Sequence, residues 1–231
     1  EAFTGSEPVV NVHLGAQAST GKSEFYVRDH GDAQVWQVRG DLNLKDDDET
    51  WLSSEIIDID KNRIESIDFK DKDGNAFTIK RASPQETSFD LTPVPAGRKV
   101  KSPYIIDMAS KGLMKMTLSD VKPLSDFDMD QTAFATYRTF DGLVVQLFYA
   151  EKAKSGSKAI GLEKKGWIKL ITSLDEAQIE KGKGDKEKLT QEVERLNNRH
   201  QNWAYHIPSY KIEQIKRSLE SLLEPLEKKP V

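Results

Sequence analysis

Phe69-Lys70-Asp71-Lys72-Asp73-Gly74-Asn75-Ala76-Phe77-Thr78-Ile79 is answered later in the chain by Tyr137-Arg138-Thr139-Phe140-Asp141-Gly142-Leu143-Val144-Val145-Gln146-Leu147. Asp-Gly falls in register, and Phe69, Phe77 and Ile79 find apolar counterparts in Tyr137, Val145 and Leu147. Alternating apolar residues around a glycine that tolerates positive φ predict a β-hairpin in each copy. Each hairpin runs on into a third short strand, 88–91 and 167–171, and then a helix. The helices open with Ser102-Pro103-Tyr104-Ile105-Ile106 and Pro208-Ser209-Tyr210-Lys211-Ile212, after which Ala109, Leu113 and Met116 match Ile215, Leu219 and Leu222. The expected fold class is α+β: quasi-repeated antiparallel β-hairpins with amphipathic helices packed on a sheet face. Quasi-repeats 64–123 and 132–226 belong to a single domain over 9–226, with a tether or disordered terminus at 1–8 and a tail at 227–231.

Working outward, alternation predicts strands at 9–14, 24–28 and 34–40, the last two closing a hairpin around Gly31, which reads as a worn third copy. An acidic lead-in over 46–50 predicts a short helix over 51–57 with Trp51, Leu52 and Ile56 inward. The first repeat's helix starts at the N-cap Ser102 with Pro103 in its first turn and is expected to run to Pro123. Gly112 in its interior costs about 1 kcal/mol relative to Ala. A Lys-, Gly- and Ser-rich loop over 152–166 is expected to be mobile. The charged insertion 175–199 carries Leu189, Val193 and Leu196 at helical spacing, which predicts a lightly attached amphipathic helix. The closing helix, 209–223, presents Ile212, Ile215, Leu219 and Leu222 as a stripe to bury, and Pro225 stops it.

The 231 residues suffice for a sizeable core, and 37% hydrophobic beside 31% charged residues is the balance of a folded domain. A formal charge of -4 argues against a nucleic-acid partner, which needs clustered cations. The absence of cysteine excludes disulfides and thiolate metal sites but leaves the compartment open. No apolar run approaches the roughly 20 residues of a membrane helix. A chain opening on Glu1 is expected to be a processed or trimmed form lacking an N-terminal anchor.

The motifs that resemble reactive sites fail on spacing. Gly15 to Ser23 mimics a phosphate loop but holds five residues between its glycines where four are required, and it leads into a strand. Asp71-Lys72-Asp73-Gly74 has the look of a calcium loop without its closing Glu, so a hairpin turn explains it. Asp126, Asp128 and Asp130 alternate, but Gln131 stands where glycine is needed, and Asp46-Asp47-Asp48 is a second acidic cluster; weak calcium binding at either stays open. His13, His30, His200 and His206 sit on separate elements without a zinc spacing. No catalytic, cofactor-binding or metal residue is assigned, no cofactor is called for, and no Gly-x-Ser-x-Gly elbow favours hydrolysis. Trp36, Trp51, Trp167 and Trp203 are core or, where exposed, a surface for sugar or peptide. Arg98 to Lys101 and Lys164-Lys165 are basic spots of the kind that meet anionic headgroups.

Val35-Trp36-Gln37-Val38-Arg39-Gly40-Asp41-Leu42, Trp51-Leu52, Ile56-Ile57-Asp58-Ile59, Ile64, Asp73-Gly74 and Trp203-Ala204-Tyr205 together resemble the family catalogued as domain of unknown function 4340. That resemblance implies a bacterial envelope protein: a domain on the periplasmic side of a membrane, behind an N-terminal anchor, sometimes linked with ABC-transporter auxiliary proteins of the gliding-motility type. It carries no active site to transfer. The expected function is therefore a non-catalytic extracytoplasmic binding or scaffolding module with an envelope or membrane protein as partner. The alternatives are a periplasmic small-molecule, glycan or lipid binder, and an unrecognised hydrolase.

Overall fold

The structure, a computed structural model, describes residues 2–4, 7–17, 23–40, 53–71, 74–128, 133–150, 152–153 and 166–225. They fall into two compact units, Glu1–Trp51 and Leu52–Val231, which divide the span taken above as one domain. In the first unit β1 (Ala2–Thr4) pairs antiparallel with β2 (Glu7–Val10), where a tether was expected. Then β3 (Val12–Gln17), β4 (Glu24–Asp29) and β5 (Val35–Arg39) form an antiparallel sheet in that order. The β4–β5 turn is fixed by Asp32, whose carboxylate accepts the Gln34 N–H at 3.0 Å.

The second unit is built on an eight-stranded sheet. Its elements in chain order begin with β6 (Glu55–Ile57), β7 (Ile64–Lys70), β8 (Ala76–Lys80), β9 (Asp90–Thr92) and α1 (Pro103–Ser110). Then come β10 (Met116–Thr117), β11 (Asp120–Pro123), β12 (Phe127–Asp128), β13 (Ala135–Thr139), β14 (Leu143–Ala150) and β15 (Lys152–Ala153). The chain closes with β16 (Trp167–Leu174), α2 (Glu176–Gln178), a π-helical turn (Ile179–Lys183), α3 (Lys186–His200), β17 (Trp203–His206), α4 (Ser209–Ile215) and α5 (Leu219–Leu222). The sheet order is β11-β17-β16-β14-β13-β7-β8-β9, antiparallel throughout, so the class is α+β. Both Asp-Gly hairpins form, with Gly74 at φ 84° and Gly142 at φ 102°, a region that favours glycine.

Register shows which face is dry. Leu91, Ile79, Ile67, Tyr137, Val145 and Thr172 lie opposite one another across six strands, and all are buried. The helices lie against this face: Tyr137 donates its hydroxyl to the Ala109 carbonyl of α1, and Thr172 bonds to Asn197 of α3. On the opposite face Asp68, Thr78 and Arg138 stay wet, which is the one-sided alternation read from 64–81.

Four expectations change. Residues 55–57 are a strand, not a helix; Ile56 and Ile57 are both buried, and the strand pairs with β10. Trp51 and Leu52 lie outside the described residues. The helix after Ser102 stops at Ser110 rather than Pro123, because the buried Lys211 ammonium takes the carbonyls of Lys111 (3.2 Å), Gly112 and Met114, which a helix would have used internally. Leu113 and Met116 are still core, held by a turn and a strand.

The closing helix is broken between α4 and α5 at 216–218, though Ile215 and Leu222 are fully buried and Ile212 and Leu219 pack beside the core. The 175–199 insertion is firmly attached: Leu189 and Leu196 are buried, and the Asn197 amide accepts from the Thr172 N–H (2.9 Å) and donates to the Thr172 carbonyl (2.8 Å). A side chain thereby continues the β16 ladder where β17, paired only at Trp167 and Ile168, has left its edge.

Candidate functional site

Polar groups buried or half-buried in the second unit hold elements together. Arg63 bridges three of them, with Nε on Asp141 (2.8 Å) and the terminal nitrogens on Glu192 (2.8 and 2.7 Å); those hydrogen bonds and charges hold its pKa above the ordinary arginine value. Arg81 is buried and donates only to carbonyl oxygens, those of Ile64, Lys61, Pro84 and Glu86, with its guanidinium over the Phe89 and Phe140 rings. Burial lowers its pKa. Each of these ties a loop to the sheet.

The histidines separate into two kinds. His200 is buried at the end of α3, its Nδ1 2.8 Å from the Tyr205 hydroxyl; desolvation pushes its pKa down to about 4, aided by Arg199 and Arg195. His206 sits with its ring 5.5 Å from that of Trp167. His13 and His30, assigned above to separate elements, meet on the first unit: Nε2 and Nδ1 are 3.1 Å apart and the rings stack at 5.3 Å. The signal for this lay in register, since His13 faces Arg28 across β3–β4 and places His30 on the next diagonal.

The remaining candidates disperse. Gly15 lies on β3 and residues 18–22 lie outside the described residues, as do 46–48, 130 and 164–165. Asp71 accepts from both the backbone and side-chain amides of Asn75, closing its hairpin. Among the described residues no group of three or more His, Asp or Glu is placed to hold a metal. Arg98 is engaged by Glu220 at 3.1 and 3.0 Å, so its basic spot is tied to α5. Trp167 is core, whereas Trp203 is 42% and Trp36 60% exposed.

Trp36 belongs to an extended apolar surface on the first unit. Register places Val12, Leu14, Phe25, Val27, Trp36 and Val38, with Asp29 at the edge, on one face of β3-β4-β5, while Glu24, His13, Arg28, Gln37 and Arg39, together with Tyr26 and Val35, take the other. Among the described residues of 11–40 none is buried, so this apolar face has no covering layer there. Exposed aromatic and aliphatic side chains on a rigid ladder fit another surface; they offer no nucleophile or acid–base group.

Fold and surface together define an antiparallel α+β protein with a small open sheet in its first unit and a larger one-sided sheet in its second. The chain belongs to the family described as domain of unknown function (DUF4340), whose model matches residues 3–164. Comparison with curated proteins and with solved structures yields no match.

Proposed function

We propose that this chain is a non-catalytic binding or scaffolding module that works on the periplasmic side of a bacterial membrane, anchored there in the full-length protein and docked to an envelope or membrane protein, a transporter component in one setting. The observation that carries this reading is the apolar face of β3-β4-β5, where Leu14, Val27 and Trp36 align across three strands without cover among the described residues. Sheet faces of this kind are stabilised by a second apolar layer about 10 Å away. The partner is a protein that supplies such a layer. A photocrosslinking residue at Val38 in the full-length protein, expressed in its own cells, is expected to give one discrete protein adduct that Trp36→Asp abolishes. Adducts to lipid alone, or an adduct indifferent to Trp36→Asp, refute the reading.

The architecture is proposed to be a quasi-repeat. Its support is that β7-β8-β9 and β13-β14-β16 extend in opposite directions from the central β7–β13 pair, the first followed by α1, which opens with Ser102-Pro103-Tyr104, and the second, after α2, α3 and β17, by α4, which opens with Pro208-Ser209-Tyr210.

The second reading, a glycan binder, is favoured by Trp203, half-exposed on β17 beside Gln201 and Asn202 in a shallow cleft closed by Pro123 and Leu124. An aromatic face flanked by amides suits a sugar ring. Quenching of tryptophan fluorescence by envelope oligosaccharides, absent in Trp203→Ala, tests it; no change in the wild type removes it.

A further inference from the structure

The break in the closing helix does something a continuous helix cannot. Arg217 lies two residues beyond the fully buried Ile215, about 200° around an uninterrupted helix, and would face water. Instead the chain leaves α4 at Lys216 (φ -107°, ψ 85°) and re-enters α5 from an extended Ser218 (φ -103°, ψ 152°). Arg217 is thereby half-buried, its Nε closed off from solvent without a hydrogen-bond partner. Desolvation lowers its pKa, and Glu213 acts on it only as a neighbouring charge. A guanidinium placed this way has donors to spare.

Arg217 lines a cleft of about 450 Å³ together with Lys70 from the end of β7, Lys216 and Ser218 from the break and Ser221 from α5. Lys216 also lies over the Tyr149 ring at 3.5 Å, which fixes its side chain against the sheet. The Ser218 oxygen accepts the Ser221 N–H, leaving its own proton to donate. Two carboxylates share the cleft. Asp71 is bonded to Asn75, and Glu213 offsets one cation, so three positive groups face two negative ones. That balance suits a ligand of one or two charges and disfavours a polyanion. Arg's fork, two lysine point charges and a hydroxyl suit the oxygens of a tetrahedral oxyanion. The floor is apolar at Phe134, and the open mouth admits a group carried on a larger body.

We propose that this cleft binds the phosphoryl group of a singly phosphorylated ligand, with Arg217 as its central contact. The site lies wholly within the second unit. Calorimetric titration of the full chain at low salt with inorganic phosphate, glycerol phosphate and vesicles of phosphatidate in phosphatidylcholine tests it and identifies the source. Saturable binding of the soluble esters supports a free ligand, and binding confined to phosphatidate vesicles supports a headgroup. Arg217→Met is expected to weaken whichever binding occurs by about tenfold or more, and Lys70→Met by about threefold. Should Arg217→Met fail to melt like the wild type, Arg217→Lys, which keeps the charge and loses the fork, is expected to weaken binding severalfold. No saturable binding of any probe, or unchanged affinity in a folded Arg217 variant, overturns the proposal.

Discussion

Replacing Gly112 by alanine separates propensity from packing. Inside a regular helix the change would stabilise the protein by about 1 kcal/mol. Gly112, however, lies just beyond α1, and a Cβ there would collide with the Tyr137 hydroxyl and the Ile215 side chain, both fully buried, and approach the Ala109 carbonyl at 3.2 Å. Overpacking of this kind costs about 1–3 kcal/mol. Displacing Tyr137 also breaks its 3.1 Å hydrogen bond to Ala109, adding about 1 kcal/mol. Gly112→Ala should therefore destabilise by about 2–4 kcal/mol, read as a lower urea midpoint with unchanged slope. Tyr137→Phe removes the colliding oxygen, so in a double-mutant cycle it should recover about 1 kcal/mol of that loss. A neutral or stabilising Gly112→Ala, or strict additivity with Tyr137→Phe, would show that α1 and α4 do not meet closely at this glycine.

Three further outcomes follow from the second unit. His200 has a folded pKa of about 4 against an ordinary value near 6.5, so the unfolded chain binds the proton more readily; its contribution is intact above pH 6.5 and lost as pH falls toward 4. Between pH 6.5 and 5 this removes up to about 2 kcal/mol, and a His200→Gln variant should show a correspondingly flatter stability profile over that range. Asn197→Ala strips the β16 edge of its partners at Thr172 and should cost about 1–3 kcal/mol, with faster amide exchange at Thr172 as the local readout. Arg63→Met leaves Asp141 and Glu192 unpaired in a partly solvated cluster; a loss of about 1–3 kcal/mol in urea unfolding is expected, shrinking with added salt.

How much of this was legible depended on the range of the controlling interaction. The hairpins were readable because alternation and Asp-Gly are local signals, and Phe69, Ile79, Tyr137 and Val145 do face one core. The end of α1 was not, because Lys211, which takes its carbonyls, lies far along the chain. Ile56 and Ile57 follow an acidic run that imitates a helix start, yet the deciding fact is the ladder of their strand, in which Ile57 pairs with Met116 and Glu55 with Thr117. The β3-β4-β5 face was half visible: the three strands and the position of Trp36 were read, but not that Leu14 and Trp36 would flank a half-buried Val27 on one face without cover among the described residues. Arg217 lay beyond reach altogether, since helical spacing continues through 216–218 and only the tertiary fit breaks it.

The charged segment 175–199 shows why composition misleads about attachment. Among the described residues its lysines and glutamates other than Glu192 face solvent, so its apolar stripe is narrow, and a helix on so few contacts would be held weakly by burial alone. The attachment comes from groups that count as polar in the sequence: Asn197 completing the β16 backbone ladder, Glu192 closing on Arg63, and Gln178 donating to Glu65 and to the Phe140 carbonyl. Each of these reaches a strand of the central sheet or its turns, joining β7, the β13–β14 turn and β16 to one insertion. A buried sheet edge demands hydrogen-bond partners before it demands apolar ones, and this segment supplies them where β17 diverges. The family match ends at residue 164, and β16, α3, β17 and α4 all lie beyond it. Of the two strands that flank β14, β13 lies inside the matched span and β16, paired along the whole of β14, lies outside it, so the second unit's core cannot close without that later part of the chain.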